Sequence, residues 1–343
     1  MPTEPDIPTA YNAAVFESKD SQLSIKEIPL EYPERGEVLI KVLACGVCYS
    51  DVEVQKGSFG NDFPIVPGHE IVGDVVALAP GEPEFRVGDR VGGPWHGGHD
   101  RTCRQCNHGN FQLCPNRAIN GVTRAGGYAQ YCLLRTEATV RVPTDIEPAQ
   151  AAPILCAGVT TFNSIRKMNV PPPAVVAIQG VGGLGHLAIQ YASKMGYDTV
   201  AISGSSSKEK LSRELGAHHF INSREQDVGA ELQKLGGASL IVFSSPNNDL
   251  VTPLMQGLAP LGKLLVLGVA GDITVSTPLM ITNGLSVCAW PSGHAVDSED
   301  ALAFGKTNDI SCMIEKYKLE DAQKAIDNMV AGKTRFRGVI VME

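Results

Sequence analysis

Residues 45–51 read Cys45-Gly46-Val47-Cys48-Tyr49-Ser50-Asp51, which places a thiol, a hydroxyl and a carboxylate within positions 48–51. They follow the apolar, partly β-branched run 38–43. Such a run ending in Cys-Gly predicts a strand that delivers a turn, and a rigid element positions reactive side chains best. A thiol beside oxygen donors in that setting looks like a zinc site.

Two later segments supply what the turn lacks. Pro67-Gly68-His69-Glu70 presents an imidazole beside a carboxylate, and Leu155-Cys156-Ala157-Gly158-Val159-Thr160 presents a second thiol among small residues. Catalytic zinc takes three protein ligands and leaves a fourth position to water or substrate, and Cys2His is a known set for it. At these residues the chain resembles the zinc-containing alcohol dehydrogenases of the medium-chain dehydrogenase/reductase superfamily. The resemblance runs from residue 11 to the C-terminus, with the landmarks in family order.

The resemblance implies an α/β fold: a β-rich GroES-like catalytic domain plus a Rossmann domain with a doubly wound parallel sheet. It implies Cys48, His69 and Cys156 as catalytic zinc ligands, Ser50 as the relay hydroxyl and Asp51 as the carboxylate that holds His69 in one tautomer. Glu70 would sit behind the metal. Such an ion lowers the pKa of an alcohol for hydride loss to a nicotinamide, and polarises the carbonyl in reverse. Cys45, despite its spacing from Cys48, is expected to bury its thiol in the strand.

Two positions depart from the family. Tyr49 stands where many members carry a cationic contact to the coenzyme pyrophosphate, and Glu53 where several end the proton relay in His. Phe59 and Trp95 fall where the family's substrate pocket has aromatics, which implies an apolar or aromatic alcohol rather than a sugar.

Asp100-x2-Cys103-x2-Cys106-x7-Cys114 matches the family's structural-zinc spacing, with Asp100 in place of the first cysteine. Asp ligates zinc through oxygen. His96, His99 and His108 compete for that fourth place, and the expected lobe spans 96–115.

Gly180-Val181-Gly182-Gly183-Leu184-Gly185 follows the apolar run 174–179 and opens a helical stretch, 184–195. In that context the glycines allow a tight turn and close approach of a pyrophosphate to the helix N-terminus. An NAD-selective site carries a carboxylate about 20 residues further on. Ser203 holds that place here, followed by Gly204-Ser205-Ser206-Ser207-Lys208 without an acid. Ser203, Ser205 and Lys208 resemble the phosphate loop of the NADP-dependent cinnamyl alcohol dehydrogenases. NADP(H) is therefore favoured over NAD(H). Thr160 and Arg335 match family positions at the nicotinamide and the pyrophosphate, though Arg335 also reads as a surface residue in a basic run.

The elements that must position these groups follow from the texture of the chain. With 343 residues, 43% of them hydrophobic, two domains are the length prior. Short β-like runs (38–43, 71–78, 88–91, 128–134) alternate with Gly and Pro turns up to about residue 142. From about residue 151, strand candidates 174–179, 199–203, 240–244 and 263–268 alternate with helical stretches, which means βαβ units. The expected domains are 1–151 (catalytic), 152–288 (coenzyme) and a return to the first domain over 289–343. The active site would lie in the cleft between them.

A net charge of -8 argues against nucleic acid as a partner. No apolar run is long enough to cross a bilayer. Nine cysteines near His and Asp, in a chain whose first 20 residues show no signal peptide, point to metal in a reducing cytoplasm rather than to disulfides. The function expected is a zinc-dependent alcohol dehydrogenase, or aldehyde or ketone reductase, a homo-oligomer (dimer or tetramer) with two zinc ions per chain. The alternatives are reduction of a conjugated C=C bond on the same scaffold, and a non-catalytic coenzyme-binding protein.

Overall fold

The computed structural model describes residues 7–342. Residues 1–10 are rich in proline and polar residues, a composition that predicts a loose arm, and they lie mostly outside the described residues. The described residues form two compact units, one of those up to residue 156, 293–306 and those from residue 312 on, the other of 157–292 and 307–311.

The first unit is built on the strand Glu37–Gly46, which pairs antiparallel with three others: Ile71–Leu78, Tyr131–Arg135 and Arg337–Val341. These belong to a seven-stranded sheet completed by Ile314–Tyr317, Arg90–Gly93 and Val140–Arg141. Val38, Ile40 and Val42 are fully buried and share one core with Ile71, Val91, Tyr128 and Ile340. Burying each Val or Ile side chain contributes about 1.5–3 kcal/mol, so the strand that ends at Cys45 and Gly46 is held firmly along its length.

The second unit is a six-stranded parallel sheet in the order His219–Asn222, Asp198–Ser203, Val175–Gln179, Ala238–Phe243, Leu258–Val266 and Ser286–Ala289. Strand order reverses between Val175–Gln179 and Ala238–Phe243. That switch point is where open α/β sheets bind ligands, at the carboxyl ends of the strands.

Element boundaries differ from expectation in two informative places. The run 128–134 yields its strand only over Tyr131–Arg135, because the backbone of Tyr128 and Gln130 bonds instead to Pro67, Ala14 and Asn12. The strand expected at 263–268 starts earlier, at Leu258, with a register shift opposite Ala238 to Leu240. Leu261 within it has φ of 63°, a left-handed conformation that breaks the regular strand ahead of Lys263.

Candidate active site

The strand Glu37–Gly46 hands the chain to the helix Tyr49–Gln55, with Cys48 as its N-cap residue. Asp51, at the third helical position, reaches back and accepts the Cys48 N–H at 2.9 Å. That bond fixes the thiol at the strand end. Pro67-Gly68-His69-Glu70 leads into the strand Ile71–Leu78, and Gly46 N–H donates to the Glu70 carbonyl at 3.0 Å. Gly68 adopts a φ of 99°, and a Cβ there would stand 2.5 Å from the Tyr128 ring. Only glycine lets His69 come this close to the first strand. Cys156 ends the 3-10 turn Ala152–Leu155, and its Sγ lies 3.9 Å from Cys48 Sγ.

Ligand atoms of Cys48, His69, Glu70 and Cys156 all lie within 4.8 Å of one another. His69 is fully buried, and neither ring nitrogen has a hydrogen-bond partner of good geometry. Its Nδ1 faces Asp51 Oδ1 at 3.4 Å, which leaves Nε2 for a ligand. An orphaned imidazole nitrogen beside two thiols is costly without a ligand, and its donor chemistry suits zinc.

The electrostatics agree with that. Contact with Cys156 holds the Cys48 thiol well below its usual pKa, against its burial, and Cys156 is raised in turn. Burial lowers the pKa of His69, but the charges of Cys48 and Asp51 outweigh it and the net direction is upward. A bound metal releases such protons, since its ligands must be thiolate and neutral imidazole. Burial pushes the Glu70 carboxyl up against the opposing pull of Arg337.

Two supporting residues escaped the sequence reading. The buried Arg337 guanidinium donates from Nη2 to Glu70 Oε1, 267 positions away. Its signal was its place at the head of the apolar run 338–341, where a purely surface arginine is out of pattern. Tyr128, also fully buried, donates its hydroxyl to Asp51 Oδ2 at 2.8 Å. Burial and the Asp51 charge push its phenol pKa well up, so it stays the donor. Tyr128→Phe is therefore expected to cost about 1.5–3 kcal/mol, the range for a hydrogen bond to a charged group. A urea midpoint equal to the parent's, at equal m, would contradict that role.

Around this cluster, Ser50 Oγ lies 3.7 Å from Cys48 Sγ. Glu53 is tied instead to Ser58 Oγ (2.7 Å) and Lys56 Nζ (3.0 Å), so the structure does not place it at the end of a relay from Ser50. Tyr49 is exposed, and Cys45 is buried outside the cluster. The Trp95 ring meets His69 edge-on at 4.8 Å, and Phe59 meets Trp95 at 5.3 Å. An aromatic wall thus starts at the candidate ligand itself.

A second cluster brings Asp100, Cys103, Cys106 and Cys114 within 4.8 Å. Cys103 Sγ and Asp100 Oδ1 each stand 3.4 Å from Cys106 Sγ. Backbone N–H groups of Cys103 and Thr102 and the Asn116 amide hold the Asp100 carboxyl far below its usual pKa. A charged oxygen and three thiols make a closed four-donor set. His96, His99 and His108 do not join it: His96 and His99 stack on each other with centroids 5.2 Å apart, and His108 is exposed.

In the second unit the glycine turn joins Val175–Gln179 to the helix Gly185–Lys194. Gly180 has φ of 94°, and a Cβ on Gly185 would stand 1.8 Å from the Gly180 carbonyl oxygen. Gly182 faces open space on its Cβ side, as close approach of a ligand requires, and Gly183 lies between them in the turn. Ser203 ends the strand Asp198–Ser203, and Ser205 Oγ lies 2.8 Å from Ser207 Oγ. Thr160 stands on the helix Ala157–Lys167 and donates its hydroxyl to Ser292 at 2.9 Å. Arg335, in the first unit, is exposed, with its guanidinium over the Phe336 ring.

Comparison with known proteins settles the family. Residues 34–144 match the alcohol dehydrogenase GroES-like domain, and residues 183–307 match the zinc-binding dehydrogenase domain. The chain is 51% identical over 335 residues to the alcohol dehydrogenase patD of Penicillium expansum, covering 98% of each. It belongs to the zinc-type alcohol dehydrogenases of the medium-chain dehydrogenase/reductase superfamily.

The fold is accordingly a GroES-like domain with a Rossmann domain. Among solved structures, this dehydrogenase is similar to a cinnamyl alcohol dehydrogenase of Sorghum bicolor, with a TM-score of 0.87, 29% identity and 97% of each chain covered. An acetophenone reductase of Geotrichum candidum, determined with NAD, matches with a TM-score of 0.87, 25% identity and 98% coverage of each. The dehydrogenase is an oxidoreductase that acts on small-molecule alcohols or their carbonyl counterparts, with zinc and a nicotinamide coenzyme. No helix among its described residues is long and apolar enough to cross a membrane.

Proposed function

We propose that the protein transfers hydride between NADP(H) and an apolar, preferably aromatic, alcohol or its aldehyde or ketone, at a zinc ion held by Cys48, His69 and Cys156. The observation that carries this reading is the convergence of those three donors, with an orphaned His69 nitrogen, against the edge of Trp95. When bound, the ion supplies Lewis acidity toward a hydroxyl or carbonyl oxygen, and the nicotinamide accepts or donates the hydride.

The chain's own groups do the rest. Asp51, held by Tyr128 and the Cys48 N–H, orients His69, and Arg337 holds the Glu70 carboxyl by a hydrogen bond from Nη2. Ser50 would accept the proton of the alcohol while passing its own hydroxyl proton on to the ribose hydroxyl of the bound coenzyme, and the same path run backwards would return a proton to the carbonyl oxygen. Trp95 and Phe59 exclude water and favour a flat apolar substrate. Gly180, Gly182, Gly183 and Gly185 shape the pyrophosphate turn, Thr160 and Arg335 contact the coenzyme, and the loop from Ser203 to Lys208 takes the 2′-phosphate that no acid repels.

Initial rates with benzylic and allylic alcohols, simple alkanols and sugar alcohols, using each coenzyme, test the reading. The expected kcat/KM is highest for aromatic primary alcohols with NADP, at least about tenfold above polyols, because hydroxyls left unpaired against an apolar wall are penalised. A preference for polyols or for NAD would overturn the corresponding half.

The second cluster belongs to the same proposal, as a structural zinc site with Asp100 as oxygen ligand. Metal analysis of the purified protein is expected to give two zinc ions per chain, and one in Asp100→Ala. Two ions retained in that variant would mean that the carboxylate is no ligand. The dimer or tetramer implied by the family is proposed as well; a second copy could add at the open edge strand Ser286–Ala289.

A further inference from the structure

Lys208 is the one basic residue that sequence places within the 203–208 loop, and the structure turns its ammonium toward the glycine turn. Lys208 Nζ donates to the Val181 carbonyl, inside the glycine turn, at 2.6 Å. A different cation forms the other wall of the loop. The strand His219–Asn222 runs parallel beside Asp198–Ser203 with Asn222 opposite Ser203, and Ser223 N–H donates to the Ser203 carbonyl at 2.9 Å. That register carries the next residue, Arg224, past the strand ends to the level of Gly204. The Arg224 N–H donates to Asn222 Oδ1 at 3.1 Å, which fixes the turn.

A Cβ built on Gly204 would stand 3.3 Å from Arg224 Nε and 3.7 Å from its Cγ. The arginine stem therefore lies along the bare face of Gly204, between Ser203 and Ser205. Arg224 is exposed, and no carboxylate pairs with it among the described residues. Its neighbour Ser223 lines a cavity of about 250 Å³ together with Gln179, Gln226 and Leu250. The Arg224 side chain thus lies against Gly204, in the loop that carries Ser203 and the paired hydroxyls of Ser205 and Ser207, on a protein whose net charge is -8.

We infer, on the NADP(H) reading above, that Arg224 is the principal cation for the adenosine 2′-phosphate and the residue that sets coenzyme choice, while Lys208 braces the glycine turn. A guanidinium offers a phosphate two parallel N–H donors, whereas the ribose 2′-hydroxyl of NAD brings no charge for it to meet. Arg224 should then discriminate between the coenzymes. Lys208, acting through the turn that both coenzymes share, should not.

Titration calorimetry of the purified full chain with NADP+, NAD+, 2′,5′-ADP and 5′-AMP separates the two roles without using turnover. Arg224→Ala is expected to weaken NADP+ and 2′,5′-ADP by at least about tenfold, as loss of a charge-assisted hydrogen bond does, and to change NAD+ and 5′-AMP by less than about twofold. Lys208→Ala is expected to weaken both coenzymes by similar factors. A parent that prefers NADP+, with a preference that Arg224→Ala leaves intact or that Lys208→Ala abolishes instead, would overturn the Arg224 assignment alone. A parent that binds NAD+ more tightly would overturn the NADP reading, and this assignment with it.

Discussion

Cys156→Ser is expected to abolish most turnover while leaving coenzyme affinity near the parent's. Cys156 contributes one of only two thiols to the candidate catalytic cluster, and its Sγ stands 3.9 Å from Cys48 Sγ. An alcohol at that position cannot match a thiolate as a zinc ligand, and zinc held by two protein donors exchanges or leaves. The glycine turn and the 203–208 loop, by contrast, belong to the second unit, which contains none of these ligands. Loss of ligand, of metal and of rate should therefore travel together, and NADP+ affinity should not follow them. Full turnover in a Cys156→Ser protein shown to lack the first metal would remove the assignment. Loss of coenzyme binding in step with rate would instead mean that the substitution damages the fold.

Ser50→Ala carries the second large effect. The hydroxyl stands at the second position of the helix Tyr49–Gln55, 3.7 Å from Cys48 Sγ, and the neighbouring carboxylate Asp51 is already committed to Tyr128 and the Cys48 N–H. That leaves Ser50 as the group beside the ligand free to move a proton. A positioned proton-transfer group is worth about 10²- to 10⁴-fold in rate, so the hydride-transfer step should slow by that order with coenzyme affinity preserved. Single-turnover rates with deuterated alcohol check this, because the isotope effect reports whether the chemical step is being observed. An unchanged rate with a full isotope effect would place the proton path elsewhere.

How far the site was legible in the sequence depends on how local each contact is. Cys48, Ser50 and Asp51 fall on one turn, and the glycines on another, so spacing alone exposes them. His69, Cys156, Asp100 and the three lobe cysteines needed only a known order of landmarks. Tyr128 and Arg337 were hidden because their partners, Asp51 and Glu70, lie 77 and 267 positions away, and nothing in a tyrosine or a basic run announces such a contact. Arg224 was hidden for a subtler reason: its place beside Gly204 follows from parallel register between two strands, which no single-strand pattern encodes.

The fold shows the same division. The strands Ile71–Leu78 and Val175–Gln179 are strongly apolar and were evident almost to their ends. The helix Ala157–Lys167 was not foreseen, because Gly158, Val159, Thr160 and Thr161 are weak helix formers. Burial overrides propensity there: Val159, Thr161, Phe162 and Ile165 are all removed from water. Likewise Glu53 stands where several family members end the relay in His, which left the proton an exit through Glu53 or directly to water, and the structure gives its carboxylate to Ser58 and Lys56.

Removal and return of the catalytic metal test the central claim most directly. Purified protein is treated with a zinc chelator until elemental analysis shows no metal, and then assayed with and without added Zn2+. The proposed assignment predicts that alcohol oxidation stops when the metal is removed, that NADP+ still binds, and that two equivalents of zinc per chain, one for each proposed site, restore the rate. Sustained turnover by protein proven free of metal would contradict it.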